Sequence, residues 1–235
     1  IKKRYIVPFL LSGLLLGLHF VFFYQAVKLT SIANATLLGI TAPMFTLVIE
    51  LFVLKRKFEK IVFIGFAVAL IGTIMLTGLS FSATTGLEVG KLYGLAAALC
   101  IALVYLFANK IRIDTSTVSY TRLLYLLAAI FLLIIASTDG ENIFALNKSD
   151  YLWLLVLGLI PTILGHSLLY YGIKFTSPTI IASVPLGEPV IASILAWMIF
   201  LEKVPLITLA SGVLILFGVY LIIVNSPRSH LSENY

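Results

Sequence analysis

The chain has 235 residues, 61% of them hydrophobic and 11% charged, with a mean hydropathy of +1.12 and a net charge of +6. A soluble domain is about 45–50% apolar and about 25% charged, so a water-exposed fold is excluded: it could not hide this much apolar surface. The basic residues sit in short connectors between apolar runs, which points to lipid headgroups as their partner and away from nucleic acid.

A hydrocarbon core of about 30 Å takes about 20 helical residues to cross. Runs of that length predict eight spans in chain order, at 6–27, 32–54, 61–80, 90–109, 118–137, 151–171, 180–201 and 205–225. The alternation of a β-barrel strand is missing from all of them. No small-residue cleavage site follows the first run, so it reads as a span and not as a leader. The chain starts at Ile1, and further sequence is expected to precede it. Cys100 lies inside the fourth run and has no second cysteine to pair with.

These spans divide the basic residues unequally. One side receives Lys2, Lys3, Arg4, Lys55, Arg56, Lys57, Lys60, Lys110, Arg112, Arg122, Lys174 and Arg228, and the other only Lys28, Lys91, Lys148 and Lys203. The 139–150 loop on the poorer side also carries Glu141. By the positive-inside rule both termini of this chain face the cytoplasm, in a plasma or inner membrane.

The sequence matches itself at a shift of 146 residues, which lays Tyr24 on Tyr170, Lys28 on Lys174, Thr30-Ser31 on Thr176-Ser177 and Pro43 on Pro189. Lys57 then meets Lys203, and Ile61, Leu70 and Gly72 meet Ile207, Leu216 and Gly218. The shift maps spans one to three onto spans six to eight. A complete repeat then holds five helices, and an odd number turns the second copy upside down. The expected fold is all-α: eight helices of a ten-helix, 5+5 inverted-repeat protein whose first two helices are lacking here. Its parts are a partial first repeat (1–86), a complete second repeat (87–226) and a cytoplasmic tail (227–235). Inverted repeats with a site between the halves are a design of secondary transporters.

The segment Tyr170-Tyr171-Gly172-Ile173-Lys174-Phe175-Thr176-Ser177, followed by Gly187-Glu188-Pro189, by Phe200-Leu201-Glu202-Lys203 and by Gly212 through Gly218, resembles the EamA-type permeases of the drug/metabolite transporter superfamily. Tyr24 to Ser31 and Ala42-Pro43 form a weaker first copy. The resemblance implies two inverted five-helix repeats and transport of a small organic solute. It departs at Arg56, which stands where the second copy keeps Glu202.

Ionisable groups inside a span cost roughly 2.5–3.5 kcal/mol, which makes them candidates for the solute or ion pathway. Glu188 precedes Pro189, and a proline frees backbone carbonyls where a helix kinks. Glu50 follows Pro43 by seven residues and Thr36 by fourteen, which places the three on one face; an ion pair with Lys55 or Arg56 is the structural alternative. His19 and His166 occupy nearly equivalent repeat positions, and Thr162, His166 and Tyr170 follow at a spacing of four. Tyr105 with Asn109, then Tyr125, and Trp197 with Ser193 complete the pathway candidates, with Pro43 and Pro189 as kinks or gates. Arg122, near a span end, is expected to snorkel. Gly13/Gly17, Gly158/Gly165/Gly172 and Gly65/Gly72 with Ser211/Gly218 read as helix-packing seams.

Phosphate-binding glycine loops, HExxH and ATPase motifs do not occur, so neither catalysis, a metal nor a cofactor is expected. The expected partners are a small-molecule solute and the lipid bilayer, with a homodimer as a compatible assembly. The competing class is an intramembrane enzyme or sensor that uses His19, His166 and the acids as a fixed site, with haem as one occupant of the two histidines.

Overall fold

The computed structural model describes residues 2–30, 32–77, 89–138, 147–201 and 206–225, and every regular element among them is helical. Lipid imposes this on an apolar chain, because a helix satisfies its own backbone donors and acceptors where no water can. After a 3₁₀ turn at Lys3–Tyr5 come α1 (Ile6–Leu29), α2 (Ile32–Gly39), α3 (Ala42–Phe52), α4 (Lys60–Thr77), α5 (Val89–Ile111) and α6 (Thr117–Thr138). Then α7 (Lys148–Leu157) runs through a π-helical segment, Gly158–His166, into α8 (Ser167–Gly172). A connector leads to α9 (Pro178–Ser183), a 3₁₀ turn at Val184–Gly187, α10 (Glu188–Phe200) and α11 (Leu206–Asn225).

Among the described residues, five stretches are long and apolar enough to cross a bilayer: Lys3–Leu29, Val89–Ile111, Thr117–Thr138, Ser149–Gly172 and Leu206–Asn225. Ala42–Phe52, Lys60–Leu76 and Pro178–Gly187 are shorter apolar helices. The second and seventh predicted runs are therefore broken helices. Ser80, Glu141, the Glu202-Lys203 connector, the start of the eighth run at 205, the 86/87 boundary and the 227–235 tail lie outside the described residues.

Both breaks fall just before the paired prolines. Pro43 and Pro189 each sit in the first turn of a new helix, where a missing amide costs nothing, instead of kinking a continuous one. At the first break the Thr41 amide and hydroxyl both donate to the Leu38 carbonyl, at 3.1 and 2.6 Å. The break also removes Thr36 from the continuous face it was expected to share with Pro43 and Glu50. Inside the sixth run, Pro161 has no amide to offer the preceding turn. The Thr162 hydroxyl supplies a donor instead, reaching the Leu157 carbonyl at 3.1 Å while the backbone widens into π geometry.

Glycine sets the closest helix approaches. A Cβ on Gly65 would lie 2.8 Å from the Gly218 carbonyl, and one on Gly72 would lie 2.9 Å from that of Ser211. Helices α4 and α11 thus cross antiparallel in backbone contact, as the predicted seam requires. Gly13 and Gly17 likewise admit Leu127 and Phe131 of α6, where a Cβ would come within 2.4 and 2.5 Å. The Gly158/Gly165/Gly172 seam does not form as expected. A Cβ on Gly158 meets nothing within 4 Å and one on Gly165 meets only its own segment, because the π turn changes the period that put the three on one face.

The core gathers around α5, with Phe9, Leu16, Val104, Ile111, Leu124 and Ile173 among its buried side chains. A second core lies against α4 and contains Ile40 and Leu186, one from each helix break.

Candidate functional site

Five of the predicted residues converge in one aromatic cluster. Tyr170 of α8 is fully buried, with the rings of Tyr105 (α5), Tyr120 (α6) and Tyr125 (α6) centred 6.0, 5.3 and 6.5 Å away. His166, one turn before Tyr170, stacks on it at 6.2 Å and meets Phe20 of α1 edge-on at 6.0 Å. His19 stands beside Phe20 at 5.4 Å, and its Nδ1 donates to the Ala97 carbonyl at 2.9 Å. The two histidines from distant parts of the chain therefore flank one phenylalanine.

The π segment shapes this cluster. Tyr125 donates its hydroxyl proton to the Thr162 carbonyl at 3.0 Å, which leaves its oxygen to accept from Ser167 Oγ, also at 3.0 Å. Three polar atoms are left over: Tyr120 Oη, His166 Nδ1 and Tyr170 Oη are buried without a hydrogen-bond partner among the described residues. Such orphans cost about 1–3 kcal/mol each, so a core built for stability alone avoids them.

A second cluster lies at the basic end. Glu50 of α3 is fully buried; one carboxylate oxygen accepts from Arg56, and the other accepts from the Thr179 hydroxyl and, at 2.9 Å, from the Thr179 amide. Arg56 also donates to Asn109 Oδ1 at 3.2 Å, and Asn109 Nδ2 donates to the Ile173 and Thr176 carbonyls at 2.9 and 3.3 Å. Arg112, almost fully buried, donates its Nε to the Tyr170 carbonyl at 3.0 Å and caps Thr115 and Thr117 with its other nitrogens. Asn109 and Arg112 thus satisfy carbonyls left open at the end of α8 and in the connector that follows it. Nearer the chain's start, Asp114 binds Lys2, Arg4 and Tyr5. The Tyr5 hydroxyl, Lys2 and Arg4 hold its carboxyl well below the usual carboxylate range.

Two further candidates stand on α10. Glu188 opens α10 at the second break and is exposed there. Trp197 is 55% exposed on the same helix, beside Ile194 and Met198. Reading the sequence missed Tyr120, Arg112 and Thr179. For Thr179 a signal existed, since Ser177-Pro178 is a helix start and the Ser177 hydroxyl caps α9. No group of three or more metal-ligating side chains occurs among the described residues.

The EamA-like transporter family profile matches residues 2–78 and 88–224, nearly all of the chain. The chain belongs to the EamA-like transporter family. An uncharacterized transporter of Clostridium kluyveri is 28% identical to this EamA-like chain over 202 residues, covering 82% of it and 64% of the relative. One from Archaeoglobus fulgidus is 26% identical over 198 residues, covering 84% of this chain and 69% of that one. The EamA-like chain thus spans about two thirds of these relatives. A solved crystal structure shares its fold, with a TM-score of 0.72 over 93% of this chain and 88% of that one, at 17% identity. The EamA-type resemblance read from the Tyr170–Ser177 and Gly187-Glu188-Pro189 segments therefore stands, and with it a multi-pass membrane protein of a transporter family rather than an enzyme family.

Proposed function

We propose that this chain is the main part of a secondary carrier that moves a small organic solute across the cell membrane by alternating access. The observation that carries the reading is the set of three buried atoms, Tyr120 Oη, His166 Nδ1 and Tyr170 Oη, that find no partner among the described residues inside an aromatic cluster. A solute entering there gains hydrogen bonds that the protein itself leaves unmade, with tyrosine and phenylalanine rings against its apolar faces. His19, Tyr105 and Tyr125 line the same place; Glu188 and Trp197 on α10, with Pro43 and Pro189 at the breaks, belong to the pathway around it. Coupling to protons or to a counter-solute supplies the energy.

The architecture proposed is eight spans of a 5+5 inverted repeat, divided at 86/87, with both termini of this chain cytoplasmic. The α4–α11 crossing supports it. Gly65 and Gly72 are the repeat equivalents of Ser211 and Gly218, and they touch in exchanged order, Gly65 with Gly218 and Gly72 with Ser211. A local two-fold axis produces that exchange. Ile40 and Leu186, also equivalent, sit in one core at the two breaks, and discontinuous helices at corresponding positions mark transporter sites. The family profile's two matched segments agree with this division.

In this conformation the basic end is the closed one, with Glu50–Arg56–Asn109–Thr179 as its gate. The full-length protein in vesicles tests the reading through accumulation of labelled amino acids, purines, sugars and amphiphilic drugs under imposed ion gradients. Movement of none of them under any gradient sinks it.

A further inference from the structure

Outside the transport path, at the basic end, a recess of about 570 Å³ lies between the chain's first turn and α6. It is lined by Lys2, Tyr5, Asp114, Ser116, Ser119 and Arg122, with Leu123 and Leu126 at its inner edge. The acid does not oppose an anion here, because Lys2, Arg4 and Tyr5 already hold Asp114. Arg122 is different: it is exposed, and no hydrogen bond or ion pair to another described residue satisfies it. A guanidinium in that position, flanked by the hydroxyls of Ser116 and Ser119, presents donors at the depth of the headgroups.

The face of α6 below Arg122 is apolar and open. Leu126, Ile130 and Ile134 follow it at intervals of four, exposed by 55%, 47% and 56%. One helix face thus carries an unpaired cation at its end and a strip of branched side chains running into the hydrocarbon. We infer that this recess binds an anionic phospholipid, its phosphate on Arg122, the remaining N–H donors of Lys2 and the Ser119 hydroxyl, and its acyl chains along Leu126, Ile130 and Ile134. Basic recesses of this kind between spans select anionic headgroups, and the leaflet beside the arginine- and lysine-rich connectors supplies them.

Native mass spectrometry of the purified full-length protein, offered equal amounts of phosphatidylglycerol and phosphatidylcholine, tests this. Phosphatidylglycerol adducts should exceed phosphatidylcholine adducts by about fivefold or more, the factor that one cation near a membrane surface contributes. Arg122→Gln should bring the ratio close to one, and Arg122→Lys should keep most of it. Inorganic phosphate in millimolar excess should leave the adducts in place. Equal adducts on the unaltered protein overturn the proposal, including the case where a second copy or a further stretch of polypeptide fills the recess. Displacement by inorganic phosphate alone overturns it too, since the site is then one for a free anion. The comparison on the unaltered protein needs no variant, so the test survives a failure of Arg122→Gln to fold.

Discussion

Glu50 and Thr179 stand 129 residues apart in sequence and meet inside the protein, where one carboxylate oxygen takes both the amide and the hydroxyl of Thr179. The contact joins the end of α3 to the start of α9, and Arg56 neutralises the other oxygen. Removing one partner of a buried charge pair leaves the other uncompensated, so Glu50→Ala should cost about 3–5 kcal/mol. Glu50→Gln keeps the shape and should cost less. In the double variant with Arg56→Gln the losses should fall short of their sum, because the two residues act on one another. Thermal unfolding in detergent reads all three.

Tyr170→Phe separates a binding role from a packing role. The hydroxyl has no partner among the described residues, so its removal should leave stability unchanged or raise it by about 1 kcal/mol, while solute transport falls. A Tyr170→Phe protein that is destabilised and transports normally would contradict the cluster assignment.

The α4–α11 crossing makes a prediction by contrast. Gly218→Ala forces a Cβ to within 2.5 Å of the Ala69 amide nitrogen and should cost about 1–3 kcal/mol. Gly158→Ala meets no atom within 4 Å, and it should be neutral or gain up to about 1 kcal/mol from the lower flexibility of alanine in a helix. Paired unfolding curves decide between a seam and a merely glycine-rich chain.

Asp114 predicts an acid limb. Its carboxyl is held below the usual range in the folded state, so the contribution is present above the unfolded value and is lost as pH falls towards the folded one. Stability should be level from pH 8 to about 5 and then decline below about 4. Asp114→Asn should flatten that decline, as melting temperatures across the range would record.

The sequence carried the apolar runs openly, because lipid requires about 20 apolar residues wherever a helix crosses. The α4–α11 contact was legible through Gly65, Gly72, Ser211 and Gly218, since small residues at matching repeat positions have few other uses. Helix breaks were half legible. Pro43 and Pro189 marked their places, but a proline in a span suits either a kink or a new first turn. The π turn was hidden, because nothing in Pro161-Thr162 says that the hydroxyl will replace the missing amide, and that turn misled the reading of Gly158 and Gly165. For Glu50 the sequence offered an ion pair with Lys55 or Arg56, both within six residues of it, and the structure pairs it with Arg56. The helix start at Ser177-Pro178 pointed to Thr179, but not to its pairing with Glu50, because pairings across more than a hundred residues depend on how helices pack. Tyr120 was out of reach, since a lone tyrosine in a span looks like an interfacial anchor.

The most direct test of the account is solute counterflow in proteoliposomes that hold the full-length protein and no nucleotide. A carrier with its site at His166 and Tyr170 should exchange at least one organic solute across the bilayer, and His166→Ala should abolish most of that exchange while the protein stays folded. Exchange that is unaffected by His166→Ala, or none for any solute, would contradict it.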